Sequence, residues 1–136
     1  MSPSASPTGA AASTISLQLV LPPDPRLLRV VRLVASGLAS LGELDLDAVE
    51  EVRVASDELV AALIEAGDGG PVTVTFELAA NTLCVDGTTS LPPAGELTVD
   101  PLTDRILDAV TTSHEWTSNN GHAHGHVERA LTAPSG

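Results

Sequence analysis

Three sets of side chains in this sequence have the types and spacing that chemistry requires. Asp57 and Glu58 are adjacent carboxylates, the raw material of general acid–base catalysis. Adjacent residues of a helix point about 100° apart, so the two cannot serve one site. Glu58 lies beside the apolar Leu59 and Ala62 and is the one to expect at a site. His122, His124 and His126 alternate, and in a strand they would share a face as metal ligands can. The turn signal Asn119-Asn120-Gly121 precedes them and interrupts that alternation, and Glu128 is the one acid nearby. They read as exposed loop histidines, with no metal site expected. Cys84 stands between Leu83 and Val85, where a free thiol behaves as a small hydrophobe. As the sole cysteine it excludes an internal disulfide and a multi-cysteine zinc site. No Gly-x-Ser-x-Gly run supports a hydrolase.

The elements that must position these groups are legible in the periodicities. Residues 1–14 are Ser, Ala, Pro, Thr and Gly without period, and read as a disordered tail; residues 15–133 form the domain. Residues 15–21 alternate as a first strand, stopped by Pro22-Pro23. Asp24-Pro25 opens a helix over 25–41 with the stripe Leu27, Val30, Val31, Val34, Leu38 and Leu41. Asp47-Ala-Val-Glu50 resembles a capping box and starts a second helix over 47–66. Its stripe is Val52, Ala55, Leu59, Ala62, Leu63 and Ala66. Residues 72–78 alternate strictly, Asn81 marks a turn, and Leu83–Val85 is a return strand. Residues 87–99 read as a loop. Asp100-Pro101 repeats the helix-start signal for 101–110, and residues 114–117 and 126–131 suggest a last hairpin. The resulting order, β-α-α-β-β-α-β-β, specifies an α+β two-layer sandwich. Its sheet should be mixed and largely antiparallel, with helices on one face.

Charge narrows the function classes. The chain has 136 residues, 18 acids, six bases that are all Arg, and a net charge of −12. A nucleic-acid binder needs a basic face, and so does a protein that sits on an anionic membrane. Neither partner fits this balance. No apolar run approaches the length of a membrane span, and the N-terminus lacks the basic and apolar regions of a secretory signal. A cytoplasmic location is therefore expected. Residues 43–68 hold nine acids and one base, Arg53. That stretch suggests an acidic surface for a basic protein partner, centred on Glu50, Glu51 and Asp57. Arg29 and Arg32 of the first helix lie beside it in the expected fold and could join the same interface.

The segment Leu46–Ala66, with Val-Ala-Ser-Asp-Glu followed by an apolar stretch and Glu-Ala, resembles the anti-sigma-factor serine kinase branch of the histidine-kinase-like ATPases. The resemblance extends over residues 15–133 and implies the Bergerat fold of that family. It also implies a sigma factor as partner and an anti-anti-sigma protein as antagonist or substrate, with a homodimer as a further option. The family's helix carries Glu-x-x-x-Asn, in which the Glu polarises the attacking group and the Asn holds Mg²⁺. Glu58 matches the Glu, whereas Ala62 stands at the Asn position and offers no oxygen. The family's Asp-x-Gly box, which reads adenine, corresponds to Asp86-Gly87, and aligning the preceding Val85 puts Gly87 rather than Asp86 at the adenine position. The glycine-rich phosphate cradle is replaced by Asp100-Pro101, an acid and a residue without an N–H. The resemblance thus implies an anti-sigma-like transcription regulator whose nucleotide site is vestigial and which has no cofactor. The alternatives are an ATP- and Mg²⁺-dependent serine/threonine kinase using Glu58, and a non-catalytic paralogue that pairs with a kinase-like domain.

Overall fold

A computed structural model describes residues 14–42 and 45–131. The tail read over residues 1–14 falls almost wholly outside the described residues, as do Glu43 and the stretch beyond Leu131.

The chain runs β1 (Ile15–Leu21), a 3₁₀ turn (Pro25–Leu27), α1 (Leu28–Ala39), α2 (Leu46–Ala66), β2 (Val72–Ala79), β3 (Thr82–Ser90), α3 (Pro101–Val110), β4 (Ser113–Asn119) and β5 (His122–Ala130). The sheet order is β1-β2-β3-β5-β4. All four pairings are antiparallel, so the sheet is antiparallel throughout rather than mixed. Two-residue turns close the hairpins. Ala80 and Asn81, and then Asn120 and Gly121, all take positive φ, the turn whose twist matches the strands it joins.

Local chemistry sets the element ends, and here the structure corrects several sequence expectations. Asp24 caps the first turn, its Oδ1 accepting from Arg26 N at 2.9 Å, but that turn is 3₁₀ and α1 proper is shorter than 25–41. Leu41 lies past its end and is 64% exposed instead of extending the buried stripe. The cap of α2 is Asp45, which accepts from Ala48 N at 3.1 Å, so Asp47 sits inside the first turn. β3 continues to Ser90, through four residues read as loop. β5 begins at His122, so the three histidines belong to a strand and not to a loop.

Helices cover one face of the sheet. α1 packs over β2, α2 over β3 and β5, and α3 against β4. Val31, Ala35 and Leu38 of α1, Val52, Leu59 and Leu63 of α2, and Leu107 of α3 meet Val72, Val74, Phe76, Val85 and Val127 of the sheet in one buried core. The other face carries the polar residue of each alternation: Ser16 and Gln18, Thr75 and Glu77, Cys84 and Asp86, His124, His126 and Glu128. Among the described residues, no helix is long and apolar enough to cross a membrane.

Candidate functional site

The four residues nominated for a nucleotide site divide between two faces of the sheet. Glu58 and Ala62 are one helical turn apart on the same side of α2, and both are half-buried. Gly87 lies beneath that helix. A Cβ built on it would stand 2.5 Å from Leu63 Cδ1, so α2 fills the space above the strand. Asp86, one residue earlier, projects from the opposite face and hydrogen-bonds to histidines of β5. The N-terminus of α3 is also occupied: Asp100 Oδ1 accepts from Leu102 N at 2.8 Å, with Pro101 between them. An N-cap carboxylate there repels a phosphate that the helix dipole would otherwise attract.

Two ion pairs join acids and bases of α1 and α2. Arg32 Nη1 donates to Asp57 Oδ1 at 2.6 Å, linking the two helices, and Arg53 Nη1 donates to Glu50 Oε1 at 2.9 Å within α2. Glu50 and Asp57 are seven residues apart and share a face of α2. Glu51 points elsewhere, taking two hydrogen bonds from the Arg129 guanidinium of β5 at 2.7 and 3.2 Å. The acidic surface expected from Glu50, Glu51 and Asp57 is thus not a single face, and each of the three acids already has an arginine. What the face between α1 and α2 does present is a shallow hollow of about 410 Å³ lined by Arg29, Arg32, Leu33, Ser36 and Arg53. Leu33 is 69% exposed there. Sequence reasoning missed it because it falls between the two positions of the buried stripe. The signal was nevertheless present: a leucine flanked by arginines at spacings of one and four.

The open face of the sheet holds a second assembly. The register sets Cys84 opposite Glu128, Asp86 opposite His126 and Thr88 opposite His124. His126 Nδ1 is 2.8 Å from Asp86 Oδ1, and its Nε2 is 3.1 Å from Glu128 Oε1. His124 Nε2 is 3.2 Å from the same Asp86 oxygen. Burial disfavours the charged imidazolium of His126, but the hydrogen bonds to Asp86 and Glu128 outweigh it and hold the pKa above its ordinary value. Cys84 is half-buried on this polar face and is not a core residue. Burial, followed by the charges of Glu128, Asp86 and Glu77, pushes its thiol up to about 11.

At the far edge, Asp104 of α3 receives Trp116 Nε1–H at 3.0 Å and lies 3.3 Å from His114 Nε2. This joins α3 to β4 and is a structural clasp.

No protein-family model matches the chain, and no curated protein matches it in sequence.

Proposed function

We propose that this chain is a protein-binding regulator of the anti-sigma type, which sequesters a sigma factor without binding nucleotide. The resemblance of the Leu46–Ala66 segment motivates the partner class. One observation favours binding over catalysis: Leu63 occupies the space above Gly87, at the position where adenine would be read. With Asp86 on the other face of the sheet and an acid capping α3, neither the base nor the phosphates would find a partner.

The contact surface in this reading is the face between α1 and α2. Leu33 supplies an apolar anchor, and Arg29, Arg32 and Arg53, with Glu50 and Asp57, supply a rim of both charge signs. An interface of this kind draws its residence time from the anchor and its association rate from the rim. Glu51, committed to Arg129, has no part in it. The localisation that goes with a sigma factor is the cytoplasm. A pull-down with candidate sigma factors, comparing wild type with Leu33→Asp, tests the reading. Calorimetry with ATP and Mg²⁺ tests the kinase alternative, which needs tight nucleotide binding and transfer to an anti-anti-sigma protein.

A further inference from the structure

We infer that the open face of the sheet carries a site for a borderline divalent cation of the zinc class, with Cys84, His126 and Glu128 as ligands and Asp86 as the residue that orients the imidazole. This site is independent of the sigma-factor reading and lies on the opposite side of the sheet from α1 and α2.

One sulfur, one nitrogen and one oxygen donor, from Cys84, His126 and Glu128, lie within 4.8 Å of one another. In a tetrahedral site with bonds of about 2.0–2.3 Å, neighbouring donors stand roughly 3.3–3.8 Å apart. Rotation of these half-buried side chains about their own torsions would close that difference while the strands stay in place. The strands themselves fix the origin of each ligand: Cys84 and Glu128 are cross-strand partners, and His126 is two residues from Glu128 on the same face. A thiolate, an imidazole and a carboxylate together suit zinc better than magnesium or calcium, which take oxygen alone.

The arrangement beyond the ligands also fits. Glu128 lies beside Nε2 of His126, so a cation shared with Glu128 binds through Nε2 and leaves Nδ1–H to donate to Asp86 at 2.8 Å. A carboxylate behind a ligating imidazole fixes its tautomer and raises its basicity. Glu77 stands opposite Cys84 on β2, and Glu115 stands opposite His126 on β4. These carboxylates gather negative charge around the three donors, and a divalent cation would neutralise it. Three protein ligands leave a fourth position for water. The histidines alone did not suggest such a site, because Cys84 and Asp86 reach it only through the β3–β5 register.

The test uses reduced full-length chain, stripped with a chelator and titrated with Zn²⁺ by calorimetry and with Co²⁺ by absorbance. The expected result is one Zn²⁺ per chain with a Kd on the order of 1 µM or tighter, and a thiolate-to-cobalt charge-transfer band. Cys84→Ser abolishes the band, and Cys84→Ser and His126→Gln each weaken Zn²⁺ at least about tenfold, with melting curves checked for folding. Asp86→Ala weakens Zn²⁺ by about 10–100-fold, and Asp86→Asn, which keeps an acceptor for Nδ1–H, recovers part of the loss. His122→Gln changes nothing. Absence of saturable Zn²⁺ binding, absence of the band, or binding that survives in folded Cys84→Ser and His126→Gln chains would overturn the proposal.

Discussion

Gly87 of β3 and Gly125 of β5 are cross-strand partners, and the two missing side chains make the trough in which Leu59 and Leu63 of α2 lie. A Cβ on Gly125 would stand 2.4 Å from Leu59 Cδ1 and 2.7 Å from Trp116 Cζ3. The pair therefore sets how closely the central helix approaches the sheet.

That contact yields the first prediction. Gly125→Ala should destabilise the domain by about 1–3 kcal/mol through overpacking. Leu59→Ala, at a side chain with no exposure, should cost about 2–5 kcal/mol. The double variant should be more stable than the sum of the two losses implies, because the methyl enters the space the leucine vacates. Denaturant unfolding of the three variants measures the coupling, and strict additivity would count against the packing described.

Asp104 offers a spectroscopic check, since Trp116 is the sole tryptophan. Asp104→Ala removes the acceptor of the indole N–H and the partner of His114. Loss of such a half-buried contact should cost about 1–2 kcal/mol and change the tryptophan emission. Asp104→Asn keeps an acceptor and should retain most of the emission spectrum.

The thiol of Cys84 should be a poor nucleophile in metal-free chain. Its pKa is raised from 9.0 to about 11 by burial and by Glu128, Asp86 and Glu77, so little thiolate exists at neutral pH. Alkylation rates should rise with pH toward an inflection near 11 in the folded chain, and near 9 in denaturant. Because the folded pKa is the higher one, the unfolded chain loses this proton first. Stability from this group is thus complete below pH 9 and falls as pH climbs toward 11.

Much of the architecture was legible because each element announces itself locally. Asp-Pro begins both the turn before α1 and helix α3, Val72–Leu78 alternates strictly, and Asn120-Gly121 turns the last hairpin. Failures arose where two local signals compete or where none exists. Asp45 and Asp47 are both plausible caps, and only the backbone geometry selects Asp45. β3 continues past Asp86 as Gly-Thr-Thr-Ser, which lacks an apolar alternation because α2 supplies the side chains above Gly87. The assembly of Cys84, Asp86, His126 and Glu128 depends on a register between strands some forty residues apart in sequence, which no local pattern encodes. The pairing of Glu51 with Arg129 across α2 and β5 is hidden for the same reason.

The arginine pairs differ in their expected weight. Arg53–Glu50 is largely exposed, and truncating it should change stability by well under 1 kcal/mol. Arg129–Glu51, with Arg129 at 21% exposure, ties α2 to β5. A double-mutant cycle there should give a coupling of about 0.5–1 kcal/mol after solvent screening. Equal couplings for the two pairs would contradict this ranking.

The central claim is that the chain binds a sigma factor through the face between α1 and α2, without nucleotide. Its most direct test is the association of immobilised chain with each candidate sigma factor in nucleotide-free buffer, wild type against Leu33→Asp. Leu33 is 69% exposed, so its substitution should leave folding intact. The account predicts that a sigma factor binds the wild type, and that Leu33→Asp weakens it by at least about tenfold, about 1.4 kcal/mol, mainly through faster dissociation. Failure of every sigma factor to bind wild type, at low or high salt, or binding that requires ATP and Mg²⁺, would contradict it.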